Sequence, residues 1–236
     1  MARGPDAHLA IRLSGSLAGM TVVRAVVAAA HPVVRSVIDL ACREADVAVT
    51  AKVETAIAAI DACRASPPDL LVLDLELPDA DGFRVLADLG DDDRPEAILV
   101  LSDRADGDVV LRALRLGVRG YVTKAEGLRG LSNTIRRVLA GERVIAPGLE
   151  QDAVLALGRF ARRAREGAEV AADLTSRERQ VLELLSEGQT MRQIATRLSI
   201  SPRTVETHVA KLYRKLGVRT RVQAVSRAAT LGLVEL

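Results

Sequence analysis

The chain has 236 residues, with 33 Lys/Arg against 31 Asp/Glu and a formal net charge of +2, which is long enough for two domains that each bury a core. Apolar residues make up 49% but aromatics only 2%, so the cores must be aliphatic, and a single-strand nucleic-acid binder, which needs aromatic stacking platforms, is disfavoured. A membrane span is excluded because Arg24, His31 and Arg35 interrupt the most apolar stretch.

Residues 1–19 hold Arg3, Arg12, glycines and a proline but no continuous apolar run, which argues against a signal peptide. A disordered extension is expected there, with Met20 as an alternative start. Short Val/Leu/Ile runs then recur at 22–28, 47–53, 70–74, 97–101 and 120–122. Helical patterns separate them at 32–43, 54–65, 81–89, 107–117 and 127–140. Unbroken apolar strands alternating with helices predict a parallel sheet covered on both faces. Five such units over 20–145 predict a doubly wound, flavodoxin-like (βα)5 domain with its sites at the carboxyl ends of the strands. Cys42 and Cys63 fall in helices without metal-ligand spacing and read as reduced core thiols of a cytoplasmic protein.

Three polar residues stand at those strand ends: Asp74 closes the third, Ser102 follows the fourth and Lys124 follows the fifth. Carboxylate, hydroxyl and ammonium at one edge suit a phosphoryl-accepting site, with the carboxylate as nucleophile and the other two holding the transferred oxygens. On spacing alone, three ordinary loop residues is the simpler reading.

The segments His31-Pro-Val-Val-Arg35, Asp69-Leu-Leu-Val-Leu-Asp-Leu-Glu-Leu-Pro-Asp-Ala-Asp-Gly82, Leu99-Val-Leu-Ser102 and Arg112-Ala-Leu-Arg-Leu-Gly-Val-Arg-Gly-Tyr-Val-Thr-Lys124 resemble the receiver domain of NarL/FixJ-type response regulators over roughly 20–145. The resemblance implies that Asp74 is the phosphoacceptor position, Ser102 and Tyr121 the switch pair, and Lys124 the phosphate partner. One departure matters. Where relatives carry two adjacent acids that hold Mg²⁺, this chain has Ala29 and Ala30, and methyl groups offer a cation no oxygen. Phosphoryl transfer depends on positioning and charge neutralisation, so no cofactor is expected and a partner sensor kinase is in doubt. Lys124 is expected to pair with Asp74 instead. Glu76 or Asp79 bending inward would be the alternative source of oxygen.

Residues 146–172 contain Val154, Leu155, Leu157, Phe160 and Ala161 at helical spacing, then Arg162-Arg163-Ala-Arg165. They read as a linker helix followed by a flexible, alanine-rich tether. Beyond it, residues 173–236 carry 11 Lys/Arg against 6 Asp/Glu, while residues 1–172 carry 22 against 25. A basic small domain beside an acidic larger one is the asymmetry of a chain that meets a polyanion with one half.

Capping boxes at Thr175/Glu178, Thr190/Gln193 and Thr220/Gln223, and a hydroxyl-proline start at Ser201-Pro202, predict helices near 176–187, 191–198, 202–216 and 221–231. Gly188, Gly217 and Gly232 mark stops. Val181, Leu184 and Leu185, then Met191, Ile194, Ala195 and Leu198, then Val205, Val209, Leu212 and Leu216 are the expected inward faces. The tight Ser199-Ile200-Ser201 turn joins two of these helices into a helix-turn-helix, whose second helix enters the major groove of double-stranded DNA. Arg203, Thr204, Glu206, Thr207, Ala210, Lys211, Arg214 and Lys215 are the expected DNA-binding residues. Lys211, Arg214 and Lys215, with Arg219 and Arg221, are suited to phosphates.

The stretches Leu174-Thr-Ser-Arg-Glu178, Val181-Leu-Glu-Leu-Leu185, Ile194-Ala195, Leu198-Ser-Ile-Ser201, Thr204-Val205, His208-Val209 and Leu216-Gly-Val218 resemble the all-α, four-helix LuxR-type helix-turn-helix domain across 173–236. That resemblance implies a homodimer using the last helix, from Thr220 onward, as its contact. Glu206 stands where many relatives have lysine, so base preference does not carry over. The expectation is a DNA-binding transcriptional regulator whose receiver works without Mg²⁺-dependent phosphorylation. The alternatives are a conventional regulator phosphorylated at Asp74, a ligand-gated receiver, and an adaptor whose helix-turn-helix binds protein. No catalytic dyad, metal cluster or nucleotide loop points to an enzyme.

Overall fold

The computed structural model describes residues 22–104 and 106–234; the expected extension over 1–19 and the Met20 start lie outside them. Two compact units divide between Ala153 and Val154.

The first unit is built on one parallel sheet. Its strands are β1 (Val23–Ala28), β2 (Val47–Val53), β3 (Leu70–Asp74), β4 (Ala97–Leu101), β5 (Gly120–Val122) and β6 (Val144–Ile145), in the order β2-β1-β3-β4-β5-β6. Every residue of β3 and β4 is buried, as their unbroken apolar runs require of central strands covered on both faces. Covering them are α1 (Pro32–Glu44), α2 (Ala56–Ala65), α3 (Phe83–Asp88), α4 (Gly107–Arg115) and α5 (Gly127–Leu139). The two-residue β6 was not expected; so short a run leaves no periodic signal.

Side-chain caps start two of these helices. The Thr55 hydroxyl accepts from the Ala58 amide at 3.2 Å, and the Asp106 carboxylate from the Val109 amide at 2.9 Å. Cys42 on α1 and Cys63 on α2 are buried and unbridged. Burial, with Asp39 and Asp93 adding to it, pushes their thiols up to about 12 and about 11. Both are core thiols.

The second unit continues α6 (Leu149–Asp173) into α7 (Ser176–Ser186), α8 (Met191–Arg197), α9 (Pro202–Leu216) and α10 (Arg221–Thr230). All three capping boxes are formed, Ser201 caps α9 ahead of Pro202, and Gly217 ends α9 in the left-handed conformation at φ 68°. Val181, Leu184, Leu185, Ile194, Ala195, Val205, Val209, Leu212 and Leu216 are buried together, while Met191 and Leu198 pack at the edge. Leu182, which the periodicity left outside the inward face, joins them.

The alanine-rich tether needs correction: α6 runs unbroken to Asp173. Alanine is the best helix former, and Arg165 pairs with Glu169 one turn on at 3.1 Å. Tertiary contacts then hold this stretch. Arg227 of α10 pairs with Glu166, and Gly167 lies so close to the residue capping α10 that an added Cβ would stand 2.3 Å from the Leu231 carbonyl oxygen. Among the described residues, no helix is long and apolar enough to cross a membrane.

Candidate functional site

Strand register brings the receiver residues to one edge. Ala28 of β1 lies opposite Leu73, and Asp74 opposite Leu101, so Ala29, Ala30, Asp74 and Ser102 leave the sheet side by side. Gly82 allows the returning loop to close on them, for a Cβ there would lie 2.7 Å from Leu75 Cα and 2.9 Å from the Asp74 carbonyl oxygen.

Lys124 reaches into this edge with a side chain 20% exposed. Its Nζ lies 3.1 Å from Asp74 Oδ2 and 2.6 Å from Glu76 Oε2, with Asp103 Oδ2 at 4.0 Å. The expected Lys124–Asp74 pair is present, and Glu76 binds the same ammonium more closely. The other Asp74 oxygen, Oδ1, accepts from the Glu76 amide at 2.9 Å. Burial pulls the Lys124 ammonium down, but its hydrogen bonds to Glu76 and Asp74 outweigh that and raise its pKa.

Ser102 and Tyr121 are both buried. The Ser102 hydroxyl accepts from the Arg104 amide at 3.1 Å, and the Tyr121 hydroxyl donates to the Arg104 carbonyl at 2.6 Å. Burial is the main reason the Tyr121 phenol is raised, with the nearby Ser102 hydroxyl and the Arg104 charge working against it.

The donor set does not fit the Mg²⁺ that the receiver resemblance implies. Ala29 and Ala30 present methyl groups, and their backbone oxygens are already engaged by Arg35 Nη1 at 2.6 and 2.8 Å. The other Arg35 terminal nitrogen pairs with Glu54 at 2.5 Å. Asp79 is turned away: its oxygens accept from the Ala56 and Ile57 amides of α2 at 2.7 and 3.1 Å, bonds that hold its carboxyl below the ordinary range. Glu76 does bend inward, toward Lys124. Two cations of the chain itself therefore stand where an ion would need free oxygens.

On the second unit, Arg203, Glu206, Thr207, Ala210, Lys211 and Arg214 are exposed and line one groove along the outer face of α9. Thr204 is exposed beside it, its hydroxyl 2.8 Å from the Ser201 hydroxyl. Arg219, just past α9, is exposed too.

Two residues assigned to phosphates are placed otherwise. Lys215 Nζ donates to the Asp173 carbonyl at 2.6 Å and to Glu178 Oε2 at 2.9 Å; its side chain is 21% exposed and that of Glu178 3%. Burial raises the Glu178 carboxyl, but Lys215 and the Thr175 groups outweigh it and bring it down to about 2. Arg221 donates to the Gln189 and Leu185 carbonyls at 2.9 and 2.7 Å, satisfying the end of α7. Both are internal struts. Their partners lie 32 to 42 residues away in sequence, beyond the reach of any local pattern.

Two sequence families match this layout. Residues 25–136 match the response regulator receiver domain, and residues 172–228 match the bacterial regulatory proteins of the luxR family. The probable transcriptional regulatory protein NarL of Mycobacterium tuberculosis (strain ATCC 25618 / H37Rv) is 33% identical over 215 residues, which cover 90% of this chain and 96% of that protein. The chain belongs to the LuxR-family response regulators. The transcriptional regulatory protein DesR of Bacillus subtilis (strain 168) is 32% identical over 189 residues, 80% of this chain and 87% of that relative. The crystal structure of a LuxR-family two-component response regulator from Aurantimonas sp. SI85-9A1 is 29% identical with a TM-score of 0.52, covering 59% of this chain and 99% of that one. This response regulator is thus a DNA-binding transcriptional regulator and not an enzyme.

Proposed function

We propose that this response regulator reads double-stranded DNA with the outer face of α9 while its receiver works without Mg²⁺-dependent phosphorylation of Asp74. The observation that carries the receiver half is the Lys124 ammonium bound to both Asp74 and Glu76. A carboxylate attacks phosphorus through a free oxygen. Here one Asp74 oxygen pairs with Lys124 and the other accepts from the Glu76 amide, so attack would require breaking an internal ion pair. Ala29 and Ala30 offer no carboxylate to hold the Mg²⁺ that would neutralise the transferring phosphoryl group.

On the DNA side, Arg203, Thr204, Glu206, Thr207 and Ala210 are the base-facing set, and Lys211, Arg214 and Arg219 hold phosphates. A homodimer through α10, where Val222 is 79% exposed, would place two such helices on half-sites about 34 Å apart. Pairing raises the effective concentration of the second head on its half-site. A cytoplasmic location follows from that role.

A conventional phospho-switch is the second reading, favoured by the convergence of Asp74, Ser102 and Lys124 at one edge. Incubation with acetyl phosphate and Mg²⁺ separates the two. The phosphate-free receiver leaves Asp74 unlabelled and the DNA affinity unchanged, whereas stoichiometric aspartyl phosphate refutes it.

A further inference from the structure

Arg104 joins three parts of the receiver that are far apart in the chain. Its amide donates to Ser102 Oγ at 3.1 Å, and its carbonyl accepts from the Tyr121 hydroxyl at 2.6 Å. Its guanidinium reaches Asp81 Oδ2, in the loop after β3, at 2.8 Å. The same guanidinium lies 5.7 Å from the centroid of the Phe83 ring, and Arg112 of α4 lies 4.0 Å from that ring. Asp81 is anchored in turn, since its Oδ1 accepts from the Phe83 amide at 3.1 Å.

We infer that Arg104 is a positioning residue that clasps the segment after β4 to the loop after β3, holding the buried Ser102–Tyr121 pair in one arrangement with the chain's own charges. The physical reason is that every tie is internal. The Ser102 and Tyr121 hydroxyls both bond Arg104 main-chain atoms, so wherever Arg104 stands, they stand. Its side chain is fixed from the opposite loop by a carboxylate and an aromatic face.

The clasp deepens the phosphate-free receiver proposed above, since a receiver without a phosphoryl group still has to specify one arrangement of this edge. It depends on that reading only for its consequence. Labelling of Asp74 would refute the reading and leave the clasp standing, while the experiment below addresses the clasp alone.

The test uses the full-length protein and the variants Arg104→Ala, Arg104→Lys, Arg104→Met and Asp81→Asn, followed by amide hydrogen exchange. An exposed ion pair with a cation–π contact supports opening ratios of roughly three- to thirty-fold. Arg104→Ala and Asp81→Asn should each speed exchange over 102–104 and 106–112 within that range. Their combination should add little to either alone, because both remove one interaction. Arg104→Lys, which keeps the cation, should recover part of the protection, whereas Arg104→Met, which keeps the length without the charge, should not. Exchange in β1 and β3 should stay as in the parent protein. Unchanged exchange over 102–104 and 106–112 in Arg104→Ala, full additivity of the pair, or equal loosening of the whole sheet would each overturn the clasp.

Discussion

Replacing Lys215 by alanine separates two roles for one lysine. As a phosphate contact, Lys215 would contribute about 0.9 to the slope of log affinity against log salt and little to stability. The structure gives it an internal role, for its ammonium is the partner of Glu178, whose side chain is 3% exposed. Removing one member of a buried pair costs about 3–5 kcal/mol. Lys215 is itself 21% exposed, so water can partly replace it, and we expect about 2–3 kcal/mol. Amide exchange across α7 and α9 in the full-length protein should then accelerate roughly 30- to 150-fold. The salt slope of DNA binding, measured where the variant remains folded, should match the parent. Lys211→Ala should do the reverse: a slope lower by about 0.9 with stability within about 0.5 kcal/mol. A Lys215→Ala protein with parental exchange and a reduced salt slope would refute the reasoning.

Three further outcomes follow from the same geometry. The Glu178 carboxyl sits at about 2 when folded against an ordinary 4.5, so its contribution is present above pH 4.5 and lost as pH falls toward 2; thermal unfolding across that window should show the loss, and Glu178→Gln should flatten it. Gly82→Ala drives a Cβ against backbone at 2.7 and 2.9 Å, and denaturant unfolding should register a loss of about 1–3 kcal/mol in the receiver. With thiols raised to about 12 and about 11, Cys42 and Cys63 should resist a disulfide reagent at pH 8 in the folded protein and react once it is unfolded; rapid reaction of the native chain would contradict their burial.

Much of the architecture was legible because its signals are local. Ser201-Pro202 and Gly217 bracket α9 at the residues where it begins and ends, and Leu70-Leu-Val-Leu-Asp74 reads directly as β3. Asp74, Ser102 and Lys124 were placed together by counting strands, since a parallel sheet sends every strand's carboxyl end to the same edge. The same logic failed for polar partners. Lys211 and Lys215 lie one turn apart on α9, yet one is exposed in the groove and the other bonds Glu178 across 37 residues. Arg104 left no signal either, because Asp81 and Tyr121 meet it only once three strands are assembled. The tether failed for another reason: its alanines suit a helix as well as a linker, and the contacts of Glu166 with Arg227 and of Gly167 with Leu231 hold the helix.

Apart from β6 and the second half of α6, sequence alone therefore determined which segments form helices and strands, about where they stop, and most of the apolar face of each. Capping and periodicity act over three or four residues, within reach of the chain's own pattern. Tertiary structure decided which charges face water and which face one another. A charge is satisfied by whichever opposite group the fold brings within about 4 Å, and no spacing in the chain records that distance.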